Sequence, residues 1–170
     1  MSVHEHKSKA TQPVRCKVIT ISDTRTKETD KSGALMIQLL KEHDMQVASY
    51  EIVKDDQTSI QQAILAGCSD DDIDVVLTNG GTGITKRDVT IEAVQALIHK
   101  EIVGFGELFR MLSYTEDIGS AAIMSRAIAG TINEKAVFST PGSSGAVRLA
   151  MTKLILPELR HVVWELNRQR

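Results

Sequence analysis

The sequence predicts an α/β domain built on a mostly parallel central sheet with helices on both faces. Three observations predict it. Short runs rich in β-branched residues alternate with segments whose apolar residues recur at helical spacing. The run Leu77-Thr78-Asn79-Gly80-Gly81-Thr82-Gly83 puts a glycine loop at the end of one strand, and Pro141-Gly142-Ser143-Ser144-Gly145 puts a tight turn at the end of another. No linker, repeat or low-complexity segment divides the 170 residues, a length that supports one sizeable core.

The elements follow in order. Arg15 to Ile21 reads as a first strand, and the polar stretch Ser22 to Ser32 as a long loop. A helix is expected from about Gly33 to His43, with Leu35, Met36, Leu39 and Leu40 on one face. Val47 to Val53 is a second strand, ended by Asp55-Asp56. Thr58-Ser59-Ile60-Gln61 has the capping-box pattern, which starts a helix at Thr58 that stops by Gly67. Asp74 to Thr78 is the third strand, and a helix from Thr90 to His99 turns Val94, Leu97 and Ile98 inward. Gly104 to Gly130 reads as mostly helical with a break near Gly119, Ala136 to Thr140 as a strand, and the remainder as two helical segments divided at Pro157. Residues 1–12 are expected to form a flexible segment ahead of one domain over 13–170.

Composition narrows the function. A formal net charge of -2 argues against general nucleic-acid binding, which needs an excess of Lys and Arg. No apolar stretch has the length of a membrane span and the first residues carry no apolar signal core, so a cytoplasmic protein without a membrane partner is expected. Cys16 and Cys68 have no metal spacing, and the five histidines are scattered. Cys16 is expected to be a small buried hydrophobe.

In a parallel sheet, ligands bind beyond the carboxyl ends of the strands. That rule gathers Ser22 and Asp23, Asp55 and Asp56, the Gly80–Gly83 loop with Thr82 and Asp88, and the Pro141-Gly142-Ser143 turn along one edge. Glycines allow successive N–H groups to converge on one anion. The loop matches neither the Walker A pattern nor G-x-G-x-x-G, and alone it reads equally as a tight turn. Lys86, Arg87 and Asp88 follow it directly and favour a phosphate held with a divalent metal. Asp55 and Asp88 are suited to Mg²⁺; as alternatives, Asp55 is a turn residue and Asp88 a helix-entry residue. Spacing does not choose between Asp55 and Asp56. Ser143 is either a ligand-binding residue or simply a helix cap, and Arg110 and Arg126 read as surface or salt-bridge arginines.

Asn79-Gly80-Gly81-Thr82-Gly83, Arg87-Asp88-Val89-Thr90 and Pro141-Gly142-Ser143 together resemble the MoaB/MogA family of molybdenum cofactor biosynthesis. Gly104-Phe105-Gly106-Glu107-Leu108-Phe109-Arg110-Met111-Leu112-Ser113 and Ser125-Arg126-Ala127 resemble the MoaB branch most closely. The resemblance runs from about Arg15 to the last helices. It implies a three-layer α/β/α sandwich, a homo-oligomer (trimer or hexamer), and binding of molybdopterin. Active members adenylylate the terminal phosphate of molybdopterin with Mg-ATP and release pyrophosphate.

On that resemblance Asp55 and Asp88 are the catalytic, Mg²⁺-holding aspartates. Ser22, Asp23, Gly80, Gly81, Thr82, Gly83, Pro141, Gly142 and Ser143 bind substrate or nucleotide. Two positions depart from the MogA pattern: Ser144 stands where many members have a second proline, and Thr90-Ile91-Glu92 replaces Thr-Pro-Glu. Some MoaB-branch members lack adenylyl transfer, so a non-catalytic molybdopterin-binding or carrier protein is the alternative. A nicotinamide-dependent reductase is a weaker rival, since no G-x-G-x-x-G follows the first strand.

Overall fold

Arg15–Ile21 (β1) is apolar on both sides: Cys16 and Val18 enter one core, Ile19 and Ile21 the other. Burial on both faces is the mark of an interior parallel strand. The computed structural model describes residues 12–168. The segment expected over residues 1–12 therefore lies, apart from Gln12, outside the described residues.

Lys31–Glu42 (α1) follows, then Gln46–Val53 (β2), Gln57–Cys68 (α2), Val75–Asn79 (β3), Thr90–Gln95 (α3) and Lys100–Glu101 (β4). Next come Val103–Glu116 (α4), a 3₁₀ segment over Gly119–Met124, Ile128–Ile132 (β5), Lys135–Thr140 (β6), Ser144–Ala150 (α5) and Leu156–Asn167 (α6). The six strands form one sheet in the order β2-β1-β3-β6-β5-β4. β2, β1, β3 and β6 run parallel, while β5 is antiparallel to β6 and β4 to β5.

One face of the sheet packs Val18, Leu77 and Phe138 against Met36 and Leu40 of α1, Phe105 and Phe109 of α4, Val147 of α5 and Leu159 of α6. The Phe105 and Phe138 rings meet edge to face at 5.3 Å. The opposite face packs Ile19, Val76 and Val137 against Ile60 and Ile64 of α2 and Ile91 and Val94 of α3. This is the three-layer α/β/α sandwich. Each fully buried Leu or Ile contributes about 1.5–3 kcal/mol by leaving water. Among the described residues no helix is long and apolar enough to cross a membrane.

Several expectations need correction. α1 begins at Lys31 rather than Gly33, because the Asp30 carboxylate caps it by accepting from Gly33 N at 3.0 Å. α2 is capped by Asp56, not Thr58: its carboxylate accepts from Ser59 N at 2.8 Å and from Ser59 Oγ at 2.7 Å. α3 stops at Gln95 instead of reaching His99, since His99 N donates to Thr131 O of β5 at 2.8 Å and sheet pairing takes over.

The stretch expected to be helical up to Gly130 instead ends in β5. Ile128–Ile132 pairs with β6 through the two-residue turn Asn133-Glu134, both at positive φ (48° and 60°). That is the geometry of a tight hairpin turn whose twist matches the strands. Pro157 does not break the final helix. Met151–Ile155 forms a π turn in which Leu156 N donates to Met151 O, five residues back. The wider turn keeps the chain helical up to the proline, which lacks an N–H and disfavours ordinary helical pairing.

Candidate functional site

β1, β2, β3 and β6 end on the same edge of the sheet, and the loops that leave them enclose a cleft of about 560 Å³. Ser22, Asp23, Asp55, Gly80, Gly81, Thr82, Gly83, Asp88, Pro141 and Gly142 all line it. Ser143 does not line it; its hydroxyl caps α5 by accepting from Ala146 N at 3.2 Å. Ser144 is the first residue of α5, a position where proline is also at home, so the helix starts alike with either residue. Ile91 is buried in the core against α2.

The glycine loop is forced by its neighbours. Gly80 has φ 102°, and a Cβ there would collide with the Ile21 carbonyl oxygen of β1. Every carbonyl in the loop is taken: Gly80 O by Thr90 Oγ1 at 2.9 Å, Gly81 O by Thr90 N at 3.0 Å, Thr82 O by Arg126 Nε at 3.0 Å, and Gly83 O by Arg126 Nη2 at 2.6 Å. A trans peptide sets N–H and C=O on opposite sides. The N–H groups of Gly81 and Thr82, which share peptides with the Gly80 and Gly81 carbonyls, therefore point away from Thr90.

Among the described residues three carboxylates share the cleft, and they differ in state. Asp23 accepts from Asp55 N at 3.0 Å and pairs with Arg87. Those contacts hold its carboxyl below the ordinary range, the Asp55 N–H first and Arg87 next. Asp88 takes Thr85 Oγ1 at 2.6 Å and Thr85 N at 2.9 Å on one oxygen. The Thr85 hydroxyl is the main reason its carboxyl also lies low, with Arg126 assisting. Asp55 goes the other way. Burial first, then the charges of Asp88 and Asp23, push its carboxyl above the ordinary range. Its Oδ1 is buried without a hydrogen-bond partner among the described residues. Asp56, the competitor for its role, is engaged as the α2 cap.

Two arginines of the cleft carry roles that sequence reasoning did not find. Arg126, read there as a surface or salt-bridge residue, binds the glycine-loop carbonyls and pairs with Glu92. Arg25 donates to Gly142 O at 3.2 Å and pairs with Asp30. Both reach partners more than forty residues away, so local pattern holds no signal for them; for Arg25 the only hint was its place in the loop after β1. Among the described residues no group of three or more His, Cys, Asp or Glu side chains is arranged to hold a metal ion by itself.

Fold and cleft together define an α/β/α sandwich protein with a glycine-loop cleft at the carboxyl edge of its sheet. The family model described as "Probable molybdopterin binding domain" matches residues 17–161. Molybdenum cofactor biosynthesis protein B of Bacillus anthracis is 74% identical over 169 residues, which are 99% of this chain and 100% of that protein. A crystal structure of a Molybdenum cofactor biosynthesis protein B superposes with a TM-score of 0.92 at 74% identity, covering 93% of this chain and 98% of that one. The tungsten cofactor synthesizing protein MoaB from Pyrococcus furiosus superposes with a TM-score of 0.81 at 39% identity, covering 91% and 98%. The chain belongs to the MoaB/MogA family of molybdenum cofactor biosynthesis proteins.

Proposed function

We propose that this chain binds molybdopterin in the cleft and adenylylates its terminal phosphate with Mg-ATP, releasing pyrophosphate. The observation that carries the reading is the Asp55 carboxylate: a buried, unpartnered oxygen beside two further aspartates. Such an oxygen is costly unless a cation completes it. Asp55 and Asp88 offer hard oxygen donors on neighbouring loops, and Mg²⁺ commonly takes one or two carboxylates with phosphate oxygens and water. The residues present fit that ion. When bound, it neutralises charge on the phosphates and on the departing pyrophosphate.

The rest of the chemistry falls to the chain. A phosphate monoester is largely ionised near neutral pH, its second pKa being about 6, so no general base is needed. Among the described residues, no Cys or His lines the cleft. An oxygen of the molybdopterin phosphate forms a bond to the α-phosphorus. The bond from that phosphorus to the bridging oxygen breaks, and pyrophosphate leaves with the electron pair. The N–H groups of Gly81 and Thr82 stabilise the anions, while Thr90, bonded to the Gly80 and Gly81 carbonyls of the same peptides, keeps those donors oriented and Arg126 clamps the next turn of the loop.

Binding without turnover is favoured by one observation: one oxygen of Asp88 is already doubly engaged by Thr85. Incubation with molybdopterin, Mg²⁺ and ATP, following pyrophosphate, separates the two. Release that requires both substrates supports transfer; tight pterin binding without release supports a carrier; neither outcome overturns both. We further propose a homo-oligomer, trimer or hexamer. Val103, Met111, Tyr114 and Ile123 are each more than half exposed within residues 103–124, an apolar surface that a second copy would cover. Sedimentation at micromolar concentration tests this, and a monomer overturns it.

A further inference from the structure

Among the described residues three arginines line the cleft, and they are held in three different ways. Arg87 pairs with Asp23 at the rim, its side chain 73% exposed. Arg126 is engaged by the glycine-loop carbonyls and Glu92. Arg25 is gripped from behind. Its Nη1 donates to Asp30 Oδ1 at 3.4 Å and to Ser32 Oγ, and its Nη2 donates to Gly142 O at 3.2 Å. A guanidinium carries five N–H donors, so two remain beyond these three bonds among the described residues.

The grip itself is buried. The Asp30 side chain has no exposure and accepts from the Tyr50 hydroxyl at 2.6 Å. Ser32 is fixed in turn by donating to Asn79 Oδ1 at 2.7 Å. The shell thus ties the loop after β1, the start of α1, the end of β3 and the turn after β6 to one guanidinium. A planar fork fixed before the ligand arrives avoids the ordering cost of a long side chain, and its geometry matches a phosphate. The paired Asp30 cancels the net charge of Arg25, so what this residue offers is direction rather than bulk attraction.

We propose that Arg25 binds a phosphate group of the ligand, and that Asp30 and Tyr50 are positioning residues that hold its guanidinium over Gly142. The inference deepens the functional reading above and rests on it for the phosphate-bearing ligand.

The test is calorimetric titration of the full chain with inorganic pyrophosphate in the presence of Mg²⁺. Arg25→Gln is expected to weaken binding tenfold or more. Arg25→Lys restores the charge without the fork and is expected to remain at least threefold weaker than the original chain. Asp30→Asn removes the α1 cap charge and risks the fold, so Tyr50→Phe carries the positioning claim. It deletes one hydroxyl at Asp30 and is expected to weaken binding two- to fivefold. In the double variant Arg25→Gln/Tyr50→Phe, that loss should disappear, because Tyr50 acts through Arg25; a merely structural Tyr50 would add its loss in full and overturn its positioning role. Original chain that binds while Arg25→Gln binds equally overturns this inference alone. Original chain that binds no pyrophosphate overturns the functional reading and this inference together.

Discussion

The two ends of the sheet use the same residue types to opposite ends. At the amino edge, charges are matched within the chain. Arg15 meets Asp74 through its backbone N at 2.8 Å, Nε at 3.1 Å and Nη2 at 2.9 Å. Lys17, almost buried, pairs with Glu51 at 2.6 Å and donates to Ala63 O at 2.9 Å. Lys135 donates to Asp70 O. At the carboxyl edge Asp55 is crowded by Asp88 and Asp23 and keeps an oxygen without a partner. A matched carboxylate stabilises the fold; a mismatched one destabilises it and is retained where a ligand supplies the match.

The contrast breaks most decisively at Asp88. Asp88→Asn is expected to lower pyrophosphate release from molybdopterin and Mg-ATP by about a thousandfold or more. Turnover at the original rate would remove Asp88 from the chemistry and make the carboxyl edge as structural as the amino edge. Gly80→Ala should come next, costing roughly 2–4 kcal/mol in denaturant unfolding, from positive φ plus the collision with Ile21 O. A loss below about 0.5 kcal/mol would show that the loop rearranges freely.

Two aspartates sharpen the comparison further. Asp74→Asn is expected to lower stability by about 1–2 kcal/mol, or roughly 2–8 °C in melting temperature, with no effect on ligand binding. Burial alone would raise the Asp74 carboxyl, but the hydrogen bonds from Arg15 outweigh it and hold it low. Its contribution is therefore present above the unfolded value of about 3.9 and is lost as pH falls through the lower folded value. On stability Asp55→Asn has the smallest effect, and an opposite one: melting temperature rises by about 1–3 °C at neutral pH, although activity is lost. The folded Asp55 carboxyl is raised, so its favourable term is fully present below the unfolded value of about 3.9 and is lost as pH rises through the higher folded value. Thermal melts of both variants between pH 3 and 8 check this; parallel pH profiles would erase the contrast.

What the sequence disclosed followed local physics. β1, β3 and β6 were legible because strands buried on both faces read as continuous apolar runs, and the four loops at their shared edge followed from parallel topology. β5 was hidden because Gly130 interrupts its apolar run and helical spacing precedes it; its turn, Asn133-Glu134, lacks the glycine that usually announces a hairpin. β4 is two residues long and exists only through its pairing with β5. In the cleft, aspartates and glycines stood out by type and spacing. The choice of Asp55 over Asp56 required knowing which one the α2 cap engages, and Arg25 and Arg126 required tertiary contacts.

The turn after β6 lies directly on the glycine loop. Gly80 N donates to Thr140 O at 3.0 Å, and a Cβ on Gly142 would stand 3.0 Å from the Gly80 Cα. Two stretches of chain sixty residues apart therefore meet as bare main chain, with no side chain between them to absorb change. A methyl group on Gly142 would press into the Gly80 main chain at that seam, whereas one on Gly80 would press the other way, into the Ile21 carbonyl of β1. Gly142 is thereby kept bare by the glycine loop and Gly80 by the adjoining strand, so a change at one makes no room for a change at the other.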